Sequence, residues 1–439
     1  MSGLLMGEEK LKQWAETILG DIKADQAEVG ITVGKTALTR FANSTIHQNM
    51  DGWDVRLRLR AVFGRKVATL TTNVVDGDGV SRSIDAVVRM ARAQDENKEF
   101  VSLPTPDEGG QPGVGIYREA TAADTPESRA GIARAVIAEA GKLGCEAAGS
   151  MGTSVYERCV VNSLGVRSYY RSTSARLIDV VSGPDGGFGY AGAYSSDVTD
   201  IDGAAVGREG AERGHASRNP ISIEPGDYEC VLLPYAMEDV LNGFRWMAFD
   251  GQALQEGRSC LSGKLGEKIA SDSISIWDDG HDPRTIATPF DSEGVPKQRV
   301  DLITKGVASA VLYDSYSAHR EGKKSTGHAG GSNLLVGPGD ATVDEMIAST
   351  KRGLLVTRFH YTNVAHLMTA TLTGMTRDGT FLIENGRITG PVKNMRFTQS
   401  LIEAFSGVEM VGRDLQLVEN VLTPAIKVNK FRFSSATEF

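Results

Sequence analysis

The stretch YECVLLPYAMEDVLNGFRWMAFDGQALQEGRSCLSGKLGE, residues 228–267, contains the pattern on which the interpretation of this chain depends. It begins with an apolar run that is typical of a buried strand and ends at Pro234. Apolar residues then recur at intervals of three and four, the spacing of one buried helix face; they are Met237, Val240, Leu241, Phe244 and Met247. The stretch therefore predicts a strand that leads into an amphipathic helix, followed by a polar loop that ends in GKLGE.

The sequence before this stretch predicts an α+β domain of antiparallel meanders flanked by helices. The N-terminal segment MSGLLMGEEKLKQWAETIL has helical spacing, and four alternating strands are predicted within residues 27–73, with one turn at Asp51-Gly52. A helix is predicted at residues 76–94, and a Pro- and Gly-rich connector follows at residues 100–127.

A second helix–strands–helix order follows the connector. Asn43-Ser44 and Asn162-Ser163 occupy matching positions in the two orders, as do Asp78-Gly79 and Asp202-Gly203. Two related units, about 1–100 and 125–218, are therefore an alternative to a single unit. These pairs are also common turn chemistry, so the repeat is a weak one.

Many short strands with Gly and Pro turns are predicted after residue 219. Asn385-Gly386, between FLIE and RITG, is the strongest hairpin signal of the chain. The pattern predicts a β-rich C-terminal domain with an antiparallel, barrel-like or sandwich-like sheet. We therefore predict an N-terminal domain at residues 1–218 and a C-terminal domain at residues 219–439.

Composition narrows the classes of protein that the chain can represent. It has 439 residues and a formal net charge of −9, which argues against a nucleic-acid partner because such a partner requires a basic surface. No run approaches the roughly 18 apolar residues of a membrane span. The N-terminal segment is acidic where a signal peptide is apolar, and the four cysteines form no metal-binding spacing. Buried free thiols and a cytoplasmic location are expected.

Several segments together resemble the TldD/TldE (PmbA) family of peptidase proteins. They occur in the family's order through the C-terminal half: GKLGEKIASDSISIWDD (263–279), FDSEGVP (290–296), STGHA (325–329), LLVGPGD (334–340), LLVTRF (354–359), LTGMTRDGTFLIENGRITGPVKNMRF (372–397) and TPAIKVNKFRF (423–433). The resemblance implies an α+β N-terminal domain and a β-rich C-terminal domain, in agreement with the strand patterns.

The resemblance also implies a functional distinction within the family. TldD-type chains bind zinc through two histidines of an HExxxH helix before the G(R/K)LGE motif, beside a later cysteine, and TldE-type partners lack these histidines. Here the helix reads AMEDVLNGFRWMAF, and no histidine occurs between His215 and His281. Because a zinc hydrolase needs about three protein ligands, Glu238 and Asp239 alone are too few. The chain is therefore identified as TldE-like, with no catalytic residue and no metal ligand of its own.

The function expected from this resemblance is that of a non-catalytic subunit. It would pair with a TldD-like zinc subunit, or with itself, in a peptidase that cleaves unfolded or modified peptides, with the zinc in the partner. We expect Arg258, Ser259, Asp291 and Glu293 to border a substrate cleft beside the helix. For Asp291, a structural turn in which it caps backbone N–H groups is at least as well supported.

Two other functions stay open from the sequence. An independent metallohydrolase would use a site outside the family pattern, such as His360 and His366, with a distant carboxylate. A homodimeric scaffold would bind peptides without cleaving them. The acidic residues Asp278, Asp279 and Asp282 with His281 could bind a hard cation, but a solvated turn explains them as well. GxGxxG at residues 187–192 lacks the following helix that phosphate binding requires.

Overall fold

The computed structural model describes residues 5–437 and confirms an α+β fold. The first four residues of the predicted N-terminal helix lie outside this range. The elements of the N-terminal region are, in chain order, α1 (Glu8–Asp21), β1 (Gln26–Ala42), β2 (Thr45–Phe63), β3 (Lys66–Thr72), α2 (Gly77–Ala93), α3 (Glu119–Ala122), α4 (Pro126–Lys142), β4 (Glu146–Asn162), β5 (Arg167–Ser182), β6 (Phe188–Ser195) and α5 (Gly203–Ala216).

The N-terminal strands form one six-stranded antiparallel sheet in the order β3-β2-β1-β4-β5-β6. The two predicted meanders are therefore joined through the pairing of β1 with β4. The turn predicted at Asp51-Gly52 is wrong, because β2 runs through these residues. The chain turns instead at Asn43-Ser44, where both residues have positive φ, as a two-residue hairpin requires. Asn162-Ser163 lies at the corresponding connection of β4 with β5, and the division into two related units stays a prediction.

Glycines allow helix α5 to lie very close to strand β6. A Cβ atom on Gly189 would lie 2.2 Å from the carbonyl oxygen of Gly210 and 2.5 Å from the amide nitrogen of Gly214. Gly187 is equally close to Gly214. Gly187 and Gly189 of the GxGxxG pattern therefore serve packing against α5.

The C-terminal region contains more strands and shorter helices. They are β7 (Gly226–Leu232), α6 (Pro234–Ala248), α7 (Gly251–Gln255), β8 (Ile276–Asp278), β9 (Val300–Thr304), β10 (Val307–Ala308), α8 (Ser315–Arg320), β11 (Leu334–Val336), α9 (Val343–Ala348), β12 (Arg352–His366), β13 (Thr371–Glu384), β14 (Arg387–Pro391), β15 (Met395–Ser400), α10 (Leu401–Ser406), β16 (Val408–Val411), β17 (Gln416–Val418), β18 (Val421–Thr423) and β19 (Ile426–Ala436).

Five of these strands close into a barrel-like ring in the order β12-β7-β19-β15-β13, because β13 also pairs with β12. A second sheet has the order β10-β9-β8-β11-β18-β17. The antiparallel prediction is incomplete, because β7 pairs with β12 and β11 with β18 in parallel. These parallel pairs join segments far apart in sequence, which strand patterns alone do not reveal.

Helix α6 buries its apolar face against the barrel-like sheet. Phe244 of α6 lies with its ring centroid 5.3 Å from that of Phe405 in α10. Phe359, Phe397 and Phe431 of three neighbouring strands form a second aromatic cluster, with the closest centroids 4.4 Å apart. Each such ring contributes roughly 2–3 kcal/mol through burial of apolar area, so this cluster anchors the helix that carries the family motif.

The loop at residues 290–296, the FDSEGVP segment, holds the two regions together. Phe290 packs edge-on against Tyr170 of β5 with centroids 4.8 Å apart. Glu293 is 2% exposed, and Arg60 of β2 donates from Nη1 to its Oε1 at 2.8 Å. Ser315 donates from both its backbone nitrogen and its hydroxyl to Glu293 Oε2. Burial raises the pKa of Glu293, but Arg60 and Ser315 outweigh it, so the net pKa is lowered.

All four cysteines are buried and free, as predicted. In the range that the structure describes, no helix combines the length and the apolar character that crossing a membrane requires.

Asp179 of β5 is a buried carboxyl group in the N-terminal core. It is 0% exposed, and neither of its oxygens has a hydrogen-bond partner among the described residues. Its Oδ2 would lie 2.7 Å from a Cβ on Gly210, so it packs against α5. Burial raises the pKa of Asp179 to about 8, which keeps the group protonated in the folded protein at neutral pH.

The raised pKa of Asp179 predicts a loss of stability as the pH rises. Its contribution is fully present below the unfolded pKa of about 3.9 and is lost as the pH approaches the folded value of about 8, on the order of 1 kcal/mol for each pKa unit. We expect Asp179→Asn to narrow the difference in urea midpoint between pH 5 and pH 9. Asp414→Asn, at an 88% exposed side chain, is the control and should leave that difference unchanged. An unchanged difference in Asp179→Asn would contradict the assignment.

The buried ion pair between the two regions predicts a large effect for one substitution. Glu293→Ala leaves Arg60 without its closest partner, which should lower the free energy of unfolding by about 3 kcal/mol or more. Glu256→Ala removes the more exposed pair with Arg258 and should cost no more than about 1 kcal/mol. Urea denaturation of both variants gives the comparison, and equal effects would show that the buried pair does not join the regions.

Candidate functional site

Helix α6 carries the residues that the sequence resemblance predicts to stand in place of a metal motif. Met237 is 0% exposed and belongs to the core beneath the helix. Glu238 and Asn242 are neighbours one turn apart, and Asn242 Nδ2 donates to Glu238 Oε1 at 2.5 Å. Asp239 accepts from Thr362 Oγ1 of β12 at 2.8 Å. The two acids on the polar face of α6 thus accept hydrogen bonds from the Asn242 amide and from the Thr362 hydroxyl. The helix contains no histidine or cysteine.

The two acids of α6 differ at neutral pH: Glu238 keeps its proton, whereas Asp239 is mostly ionised. Burial raises the pKa of Glu238 to about 8, with a further rise from the nearby Asp239. Burial also raises the pKa of Asp239 to about 6, against the hydrogen bond from Thr362. A carboxyl group that keeps its proton is a weak ligand for a metal ion. The chemistry of this face is that of hydrogen-bonded acids.

A continuous cleft lies at the C-terminal end of α6. It has three parts of about 210, 310 and 360 Å³, and neighbouring parts share lining residues. Asp250, Gln252 and His328 line the first and second parts, whereas Arg60 and Glu293 line the second and third. The cleft therefore borders both regions of the chain and passes beside the ion pair that joins them.

Of the four predicted substrate-binding residues, two line this cleft and two are buried behind it. Arg258 and Glu293 line the cleft. Ser259 is 0% exposed; its hydroxyl donates to the carbonyl of Ala248 at 2.7 Å. Asp291 is 1% exposed and accepts from three backbone N–H groups, those of Glu293, Val295 and Ala329. Ser259 and Asp291 shape the loops behind the cleft, and their role in substrate binding stays a prediction.

The residues near Asp278 form a buried polar network. Asp278 Oδ1 lies 3.0 Å from His328 Nε2, and its Oδ2 accepts from the backbone nitrogen of Asn333 at 2.9 Å. The ammonium group of Lys297, 1% exposed, lies 3.9 Å from Asp278 and 3.2 Å from the Asn333 side-chain oxygen. This network holds the glycine-rich loop at residues 327–331 against the cleft. His328 is thus a satisfied core histidine, as the sequence favoured.

Asp279 and Asp282 do not join Asp278. Asp279 accepts from the backbone nitrogen of His281, and Asp282 pairs with Arg284. The acidic segment is therefore a set of turn contacts. Across residues 5–437, three His, Cys, Asp or Glu side chains are nowhere grouped closely enough to hold a metal ion.

His360 and His366, the alternative metal pair, lie on one strand, β12. The register of β12 shifts between His360 and Asn363 and again before His366. Burial lowers the pKa of His360, and Arg377 lowers it further. His366 Nδ1 is hydrogen-bonded to Thr369.

Sequence reasoning missed Arg60 as a cleft residue. The alternation of VRLRLRAVF places Arg58 and Arg60 on one face of β2, and such alternation is typical of a strand with one solvated face. The structure covers it with the loop that carries Glu293. Two arginines separated by one residue lie on the same face of a strand, where they can pair with a carboxylate. This spacing could have predicted an acidic partner for Arg60.

A larger cavity of about 730 Å³ lies away from α6. It runs along residues 165–171, the start of β5 and the two residues before it, and is bordered by residues 112–115 and by Phe290. Strand β6 pairs only with residues 175–182 of β5, so the preceding part of β5 is a sheet edge.

The buried hydroxyl of Ser259 predicts a structural effect. Ser259→Ala removes the bonds to Ala248 and from Leu261, and should lower the free energy of unfolding by about 1–3 kcal/mol. Arg258→Ala changes an exposed side chain and should alter it by less than about 1 kcal/mol. Urea denaturation distinguishes the two. If Ser259→Ala were neutral, its hydroxyl would be free for a ligand.

Comparison with known proteins supports the family. The sequence profile described as the PmbA/TldA metallopeptidase C-terminal domain matches residues 225–435. The metalloprotease PmbA of Escherichia coli O157:H7 is 26% identical over 431 residues, which cover 92% of each chain.

Two solved structures are also similar. A Bacteroides thetaiotaomicron protein, described as a candidate modulator of DNA gyrase, is 25% identical with a TM-score of 0.86, over 98% of this chain and 100% of its own. TldE from Thermococcus kodakarensis has the same fold, with a TM-score of 0.85 at 20% identity, over 97% of this chain and 99% of its own. The ordered motifs and the matched region lead to one conclusion: residues 225–435 form a C-terminal domain of the PmbA/TldA metallopeptidase family, and the chain as a whole is similar to PmbA proteins.

Proposed function

We propose that this chain is a TldE-like, non-catalytic subunit of a zinc peptidase complex that cleaves unfolded or modified peptides. Its partner is a TldD-like subunit that carries the zinc. The observation that carries the proposal is the composition of α6: a buried thioether at Met237, an amide at Asn242 and two acids of raised pKa occupy the face where a catalytic relative would bind its metal.

The cleft supports a role next to a peptide. Its three connected parts border both regions, and Arg258 and Glu293 face it. Ser259 and Asp291 would act by holding the neighbouring loops. We assign the complex to the cytoplasm, because the four free thiols suit a reducing compartment.

Co-expression with the TldD-type chain of the same genome tests the proposal. We expect the two chains to elute together in size exclusion and to degrade an unfolded protein such as casein, whereas neither chain alone does so. Metal analysis should find zinc only in the partner. Two separate peaks with no gain in proteolysis would contradict the proposal, as would stoichiometric zinc in this chain that is lost on His360→Ala.

A substitution in α6 provides a sharper control. Glu238→Gln keeps the hydrogen-bonding shape beside Asn242 and removes the acid. If this chain is non-catalytic, proteolysis by the assembled complex should stay within about twofold of the wild type, since losing a general base costs about 10²-fold or more. A loss of that larger size, with assembly intact, would give this chain a catalytic acid or base.

A further inference from the structure

Arg245 lies in the last turn of α6. Its Nε is buried, and within residues 5–437 we find neither a hydrogen-bond partner for this nitrogen nor an ion pair of its guanidinium. Arg58, Arg60 and Arg358, in comparable half-buried places, each pair with a buried acid. An unpaired, partly desolvated guanidinium is unfavourable unless a ligand supplies the acceptor.

The guanidinium borders the first part of the cleft, the part of about 210 Å³. Arg258 lies on the same wall, but Glu256 accepts from its Nε at 2.8 Å, so its charge is balanced. Asp250 also borders this part, with its Oδ1 used to cap α7 at Ala253. Arg245 is thus the cation of this wall that has no partner.

The rest of this part is lined by Gln252 and His328, by apolar side chains and by backbone. Trp246 is 61% exposed and borders the cavity together with Leu367. Gly330 and Gly331, both with positive φ, also line it, and backbone without side chains leaves room there for a ligand. An arginine beside an exposed indole suits a carboxylate attached to an apolar group.

We propose that this part of the cleft binds the C-terminal carboxylate of an extended peptide. Arg245 donates to the carboxylate, and the last side chain of the peptide packs against Trp246 and Leu367. The preceding residues continue into the second and third parts of the cleft, toward Arg60. The assignment needs only this chain and goes beyond the role of a partner subunit.

Calorimetric titration of the purified chain with three pentapeptides tests the assignment. The probes are acetyl-Ala-Ala-Ala-Ala-Phe with a free carboxylate, the same peptide as a C-terminal amide, and the amide of acetyl-Ala-Ala-Glu-Ala-Phe. We expect the free acid to bind at least about tenfold more tightly than either amide, the factor that corresponds to one charge-assisted contact.

Variants locate the effect on Arg245. Arg245→Gln should weaken the free acid at least about tenfold and leave the amide unchanged, and Arg245→Lys should restore part of the affinity. Arg387→Gln, at an exposed arginine of β14, is the control and should change neither. Thermal melts verify that each variant is folded.

Equal binding of the acid and its amide, or unchanged affinity in a folded Arg245→Gln, would overturn the proposal. Tight binding of the Glu-containing amide would show that the site accepts a side-chain carboxylate. That result would overturn the assignment to the peptide C-terminus. Because the partner subunit takes no part in these titrations, their failure would leave the proposed complex unaffected.

Discussion

The buried ion pair between Glu293 and Arg60 is the contact on which the arrangement of the two regions depends. A buried pair of this kind gains little net free energy, because both charges lose their hydration. It does, however, penalise every arrangement in which either charge is buried alone. Phe290 against Tyr170 and the two donors of Ser315 add further contacts to the same loop. The pair therefore favours one relative position of the two regions, together with contacts such as His319 with Glu108 and Arg320 with Glu99.

The local sequence pattern predicted the helices and strands, but it did not predict which distant strands pair. The apolar spacing of α6 and the Asn385-Gly386 hairpin are correct because both depend on residues close in sequence. The Asp51-Gly52 turn is wrong because a long strand tolerates such a pair when its neighbours are paired throughout. The closure of the barrel-like sheet through β7 and β12 joins residues over 120 positions apart, and no local signal encodes it.

The same limit applies to the candidate site. Family motifs placed Glu293 near the cleft, but Arg60 came from a strand more than 200 residues earlier. Ser259 and Asp291 show the opposite case: we expected both to border the cleft, with a capped turn as an equally supported role for Asp291, and the structure buries both with backbone hydrogen bonds. Sequence distinguishes a polar residue from an apolar one, but exposure depends on what packs over it.

The burial of Met237 has an evolutionary consequence. An imidazole at this position would bring two ring nitrogens into a site that is 0% exposed and surrounded by hydrocarbon, at a cost of roughly 1–3 kcal/mol for an unsatisfied polar group. A single substitution toward a metal-binding sequence would therefore be penalised before any ion could compensate. Descendants of this protein would have to change several neighbouring side chains together, so single substitutions toward a metal site in α6 would be selected against.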